Sequence, residues 1–148
     1  MKSILLQTGP ALPCDCACLK LPQVDIHSPY ILTAMLLRMF EFSHIAIAIT
    51  SSDGTCARYL KVNQAYQQLV GRQWSELCNG AVANVAAVVD DGLARRNQQL
   101  EVAGGYVGEP VGIRHADGRI ISTLISAQRT VVDGVAYDLE VIVDVSER

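Results

Sequence analysis

The stretch that most constrains this chain is Leu60 to Gly71, Leu-Lys-Val-Asn-Gln-Ala-Tyr-Gln-Gln-Leu-Val-Gly. It reads as the end of a strand, a helix cap, a two-turn helix and a stop. Asn63 is a strong cap because its side-chain oxygen accepts from a free N–H of the first helical turn. Ala65, Tyr66, Leu69 and Val70 follow at helical spacing and define one buried face. Gly71 ends the helix where a left-handed residue is needed. Ile45–Thr50 and Thr55–Val62 precede it as two strands around Ser51-Ser52-Asp53-Gly54, a hairpin signal.

The flanking sequence extends this start. Ser28 caps a helix whose first position is Pro29, where a missing N–H costs nothing. Between Tyr30 and Phe42 only Thr33, Arg38 and Glu41 interrupt the apolar run. A helix covering one sheet face needs one apolar stripe. This one is apolar round most of its circumference, so it is expected to contact two surfaces, its own domain and a second chain. Ile31, Met35, Leu36 and Met39 are the candidate dimer contacts.

After Gly71, Arg72–Leu77 forms a short helical turn around Trp74, the sole tryptophan, ended by Asn79-Gly80. Val82–Ala103 reads as helical in two pieces, with Asp91 the expected cap of the second. Its core candidates are Leu93, Ala94, Leu100 and Ala103. Three β runs finish the chain: Tyr106–His115, Ile120–Val132 and Val135–Val145. Pro110 places the first at an edge or an irregular start. Asp117-Gly118 and Asp133-Gly134 join them as antiparallel hairpins. The expected class is α+β with a five-stranded antiparallel sheet. The expected divisions are an irregular extension over 1–27, a flanking helix over 28–43 and a domain over 44–148.

Composition bounds the function. Half of the 148 residues are hydrophobic and 18% are charged, which describes a folded domain. The net charge of -3 and the lack of a basic run argue against nucleic acid as a partner. No apolar stretch reaches the roughly 18 residues of a membrane helix. The opening apolar run is broken at Gln7–Pro10, so neither a signal peptide nor the membrane is expected, and the compartment is read as the cytoplasm. The odd count of five cysteines fits reduced thiols. Cys14, Cys16 and Cys18 are weak zinc or copper ligands, with Asp15 or His27 as a fourth, but lack the usual paired spacing; no metal is expected.

The segments Ile47–Gly54, Val62–Tyr66, Leu69–Gly71, Ile113–Arg119 and the closing Asp-Val-Ser-Glu-Arg together resemble a bacterial PAS domain over about 110 residues from Phe40. The resemblance implies a sheet of strand order 2-1-5-4-3 and a pocket between sheet and helices. In the family that pocket takes haem, flavin, another chromophore or a metabolite, or is filled by side chains. Candidate pocket residues are Tyr59, Asn63, Tyr66, Trp74, Ile113 and Ile125. Trp74 is read first as a packing anchor. A photoactive flavin is disfavoured because Cys78–Ala83 lacks the Asn-Cys-Arg-Phe-Leu-Gln type motif. Haem on a helical histidine is disfavoured because Val82–Ala103 has none. The cofactor is therefore unknown. His27, His44 and His115 read as surface residues. No nucleophile elbow or phosphate loop suggests catalysis, and Asp90-Asp91 is a poor acid–base pair.

Two functions follow as expectations. One is a signal-transduction module, a homodimer with a small-molecule pocket, serving transcription regulation or a two-component pathway. The other is a protein-interaction module whose pocket is packed shut. The strands look mostly aliphatic, with few polar groups to orient a ligand, which keeps the second open. An effector protein is an expected partner, since Arg148 falls where an effector linker would begin; the chain is either a lone module acting in trans or a fragment.

Overall fold

A computed structural model describes residues 27–52, 57–78, 82 and 91–146. The chain divides into two units, Met1–Leu36 and Leu37–Arg148. That division falls inside the first helix. The elements are α1 (Pro29–Phe42), β1 (Ala46–Ser52), β2 (Ala57–Val62), α2 (Gln64–Val70), α3 (Trp74–Leu77), α4 (Leu93–Ala103), β3 (Gly105–Arg114), β4 (Ile120–Val132) and β5 (Val135–Asp144). The strands form one antiparallel sheet in the order β2-β1-β5-β4-β3. The α+β class, the strand count and the 2-1-5-4-3 order are those expected. The Cys14–Cys18 cluster, the Asp53-Gly54 turn and Asp90 lie outside the described residues.

The hairpins follow from turn chemistry. Asp133 and Gly134 both take positive φ, 52° and 81°, the mirror-image turn that matches strand twist. It pairs Val132 with Val135 and sets the β4–β5 register. Pro110 sits in β3, one of the two edge strands, whose register shifts between Tyr106 and Glu109. A proline there removes no ladder bond from a central strand.

Asn63 does more than cap. Its Oδ1 accepts from the N–H groups of Tyr66 and Ile47, each at 3.0 Å. Its Nδ2 donates to the carbonyls of Phe40 at 3.0 Å and Ile45 at 2.9 Å. One fully buried amide thus joins the end of α1, the start of β1 and the first turn of α2. Gly71 ends α2 with φ 71° and faces the His115 ring, which a Cβ there would strike at 2.3 Å. His115 is accordingly half-buried and not a free surface residue; its Nδ1 accepts from the Asp117 N–H at 3.1 Å.

Two expectations for α4 are corrected. Gly92, not Asp91, is the N-cap, and it makes no side-chain cap bond. Leu93, Ala94 and Ala103 are exposed, while Arg96 and Leu100 are buried. The helix is rotated so that an arginine, and not Leu93, faces inward. The two residues lie four apart, one turn of the same face.

Helix α1 has no buried residue among the described ones. Met35, Leu36, Leu37, Met39 and Phe42 are each about half exposed or more. Ile31 and Phe40 are half-buried.

Candidate functional site

The site is the inner face of the sheet, and strand pairing assembles it. One row runs Ala48, Glu140, Ala127, Tyr106 across β1, β5, β4 and β3. The next runs Tyr59, Thr50, Asp138, Arg129 across β2, β1, β5 and β4. A third holds Ala46, Ile142, Ile125 and Glu109. Residues two apart on a strand share a face, so Asp138, Glu140 and Ile142 all point inward. The helices contribute Tyr66 from α2, Trp74 and Leu77 from α3, and Arg96 and Leu100 from α4.

This face is polar, against the aliphatic reading of the sequence. Thr50, Thr123, Asp138 and Arg96 are all buried. Thr123 donates to the Val111 carbonyl at 2.7 Å. Arg129 makes a two-pronged pair with Asp138, Nε at 2.7 Å and Nη2 at 2.8 Å, the strong geometry for a guanidinium and a carboxylate. Arg95 meets Glu109 at 2.8 Å. The hydroxyls of Tyr59 and Tyr66 bond each other at 2.5 Å, with their rings edge to face at 5.6 Å.

Glu140 differs from these neighbours. It occupies the middle strand, in register between two alanines, and is half-buried. Burial pushes its carboxyl up to about 7; the nearby Asp138 charge adds to this and the Arg96 charge opposes it. Burial likewise raises the hydroxyls of Tyr59 and Tyr106 to about 12, and holds Tyr66 well above its ordinary value. Glu140 lies within electrostatic reach of all three tyrosines. Among the described residues no cluster of three metal-ligating side chains occurs.

The six residues singled out from sequence are placed as follows. Tyr59, Tyr66, Ile113 and Ile125 are buried in one cluster, and Trp74 packs against it half-buried. Asn63 is buried too, but its amide is spent on backbone groups, which makes it a strut. Sequence reasoning missed Glu140, Asp138, Arg96 and Tyr106. For two of them strand alternation points the wrong way. In Asp138-Leu139-Glu140-Val141-Ile142-Val143 the charged side should face water, but Asp138 is buried while Leu139 and Val143 are 43% and 37% exposed. A surface cleft lined by Glu41, Phe42, Ser43, His44, Gln64, Ala65 and Gln68 lies apart from these groups.

No helix among the described residues is long and apolar enough to cross a membrane. No family model and no curated protein matches the chain. Solved structures do. An RNA-binding light-oxygen-voltage receptor superposes with a TM-score of 0.69 at 17% identity, over 86% of this chain and 37% of that one. This chain therefore spans well under half of that receptor's length. A PAS domain from Colwellia psychrerythraea gives 0.67 at 16% identity, over 79% of this chain and 99% of that domain. A PAS domain of a two-component sensor histidine kinase gives 0.63 at 11%, over 79% and 99%. At these identities the likeness is one of fold, and with the strand order and the Asn-capped helix it makes this a PAS-fold domain.

Proposed function

We propose that this chain is a sensory or regulatory module that pairs with a second copy through α1 and takes a small molecule on the inner face of its sheet. The reading assigns it no catalysis. The observation that carries it is the buried polar array of Thr50, Thr123, Asp138 and Arg96 beside the half-buried Glu140. A core that serves only to hold a fold together is cheaper to build from apolar side chains than from buried hydroxyls and charges, each of which costs free energy to take out of water. That array favours the ligand-binding reading over a pocket packed shut by side chains. The likeness to PAS domains of sensor kinases points to the same class of module.

Pairing is supported by α1. Exposed Met35, Leu36, Leu37, Met39 and Phe42 form a larger apolar surface than a lone helix keeps in water. Two-fold pairing of one patch with itself is the commonest way to cover it. Native mass spectrometry and light scattering on the purified chain test both halves. A dimer carrying a small molecule is the expected result. A monomer at micromolar concentration refutes the pairing, and a chain free of any small molecule favours the side-chain-filled alternative.

A further inference from the structure

We infer that His115 is a proton-operated latch between the β3–β4 turn and the end of α2, with two hydrogen-bonded settings selected by the charge on its ring. Neither ligand binding nor pairing through α1 enters into it.

The turn is fastened to α2 at two points. The Ala116 N–H donates to the Val70 carbonyl at 2.9 Å, satisfying one of the carbonyls left free at the helix end. The His115 ring lies over Gly71, so close that a Cβ there would meet Cε1 at 2.3 Å and Nε2 at 2.4 Å. The histidine side chain is only 19% exposed. Within the turn the His115 N–H donates to the Arg119 carbonyl at 2.8 Å, and the His115 carbonyl accepts from the Gly118 N–H at 2.9 Å. The backbone of His115 is thus tied on both sides, and the choice left is at its ring.

Nδ1 has a donor and an acceptor at the same reach. The Asp117 N–H lies 3.1 Å away, and so does Oδ1 of the Asp117 carboxylate. An unprotonated Nδ1 can only accept, and takes the N–H. A protonated Nδ1 can only donate, and takes the carboxylate. One proton therefore exchanges one bond for the other. Histidine is the side chain whose ordinary charge change falls between about pH 5 and 8. The carboxylate is ready throughout that range, because bonds from the Arg119 N–H and side chain push Asp117 down to about 2. The other charges beside the ring are arginines, which do not titrate: Arg114 and Arg119 on the hairpin, and Arg72, next to Gly71 and 3.6 Å from Glu76. Helix α2 carries one titratable side chain, Tyr66, held well above its ordinary value by burial. The charged ring faces the carbonyl end of α2, where the helix dipole favours a cation, so the change is felt by the helix that carries Tyr66.

Nuclear magnetic resonance of the whole chain from about pH 5 to 8 tests this. Above the His115 midpoint the ring nitrogens are expected to show Nδ1 bare and Nε2 protonated. As pH falls through that midpoint, the Asp117 amide proton is expected to move upfield as it loses its acceptor. The Ala116 and Gly71 amides are expected to shift with the same midpoint. Glu140 titrates in the same range on the sheet, so His115→Gln assigns the change. Glutamine keeps an acceptor oxygen but takes no proton, and the three amides are expected to stay still. Should that variant fail to fold, the coincidence of amide and ring midpoints in the wild type decides. A neutral ring protonated at Nδ1, amides that ignore the His115 midpoint, or amides that still move in the folded variant would overturn the inference.

Discussion

Helix α1 and the inner face of the sheet break the same rule in opposite directions. The helix carries methionine, leucine and phenylalanine, yet has no buried residue. The inner face is covered by helices, yet holds Thr50, Asp138, Glu140 and Arg96. Burial sorts side chains by transfer free energy, at about 25 cal/mol per Å² of apolar surface. A chain that acted alone would gain by exchanging the two sets. Each region is costly in isolation, and the proposed function gives each a partner: a second copy for the apolar surface, a ligand for the polar interior. Asn63 ties the two together, since one amide holds the Phe40 carbonyl and the first turn of α2.

Breaking that link should have the largest effect. Asn63→Ala removes the cap bond to the buried Tyr66 N–H, worth about 0.5–2 kcal/mol, and takes the partner from the half-buried Ile47 N–H, at about 1–3 kcal/mol. A loss of roughly 2–5 kcal/mol is expected in urea unfolding. A loss near 1 kcal/mol would leave only an ordinary cap.

The apolar side of the comparison comes next. Leu36→Ala with Met39→Ala should weaken pairing by about 2–5 kcal/mol, since each such side chain contributes about 1.5–3 kcal/mol when fully buried. Sedimentation would report a dissociation constant raised by about 30-fold or more. Should the pair of changes leave the dimer intact, the interface moves to the outer face of the sheet, where Leu124, Leu139 and Val143 are exposed.

The polar side shows itself in pH. Burial raises the folded-state value of Glu140 to about 7, above the value of about 4.3 for an unfolded glutamate. Between these two values the folded state binds the extra proton. Stability is therefore expected to fall as pH rises from about 4.5 to 7, by roughly 2–3 kcal/mol, and to level off above. Glu140→Gln should flatten that slope and raise stability at pH 8 by a similar amount. A profile unaltered by the substitution would remove Glu140 as its source.

The smallest effect is expected where the end of α1 meets the sheet through water. Lys61 lies 3.6 Å from Glu41, both about half exposed. Lys61→Ala should change unfolding by no more than about 0.5 kcal/mol. A larger change would point to the stacking of Lys61 on the Phe40 ring, at 5.5 Å.

The sequence by itself determined what depends on neighbours along the chain. Asn63 before Gln64, Gly71 after Val70, and Asp133-Gly134 between two apolar runs each act through local backbone geometry, so they set element boundaries to within a residue or two. Pro110 marked an edge strand for the same reason. Tertiary structure alone decided which side of each element faces inward. In β5 Leu139 and Val143 are exposed, and pairing with β1 and β4 puts Asp138, Glu140 and Ile142 on the inner face. In α4 the apolar Leu93 lost the inner position to Arg96. Hydrophobic pattern identifies the inner face only when the chain is sufficient to itself. Here the helix gives up apolar surface and the sheet keeps buried charge, and only the register of five strands shows which residues stand beside Glu140.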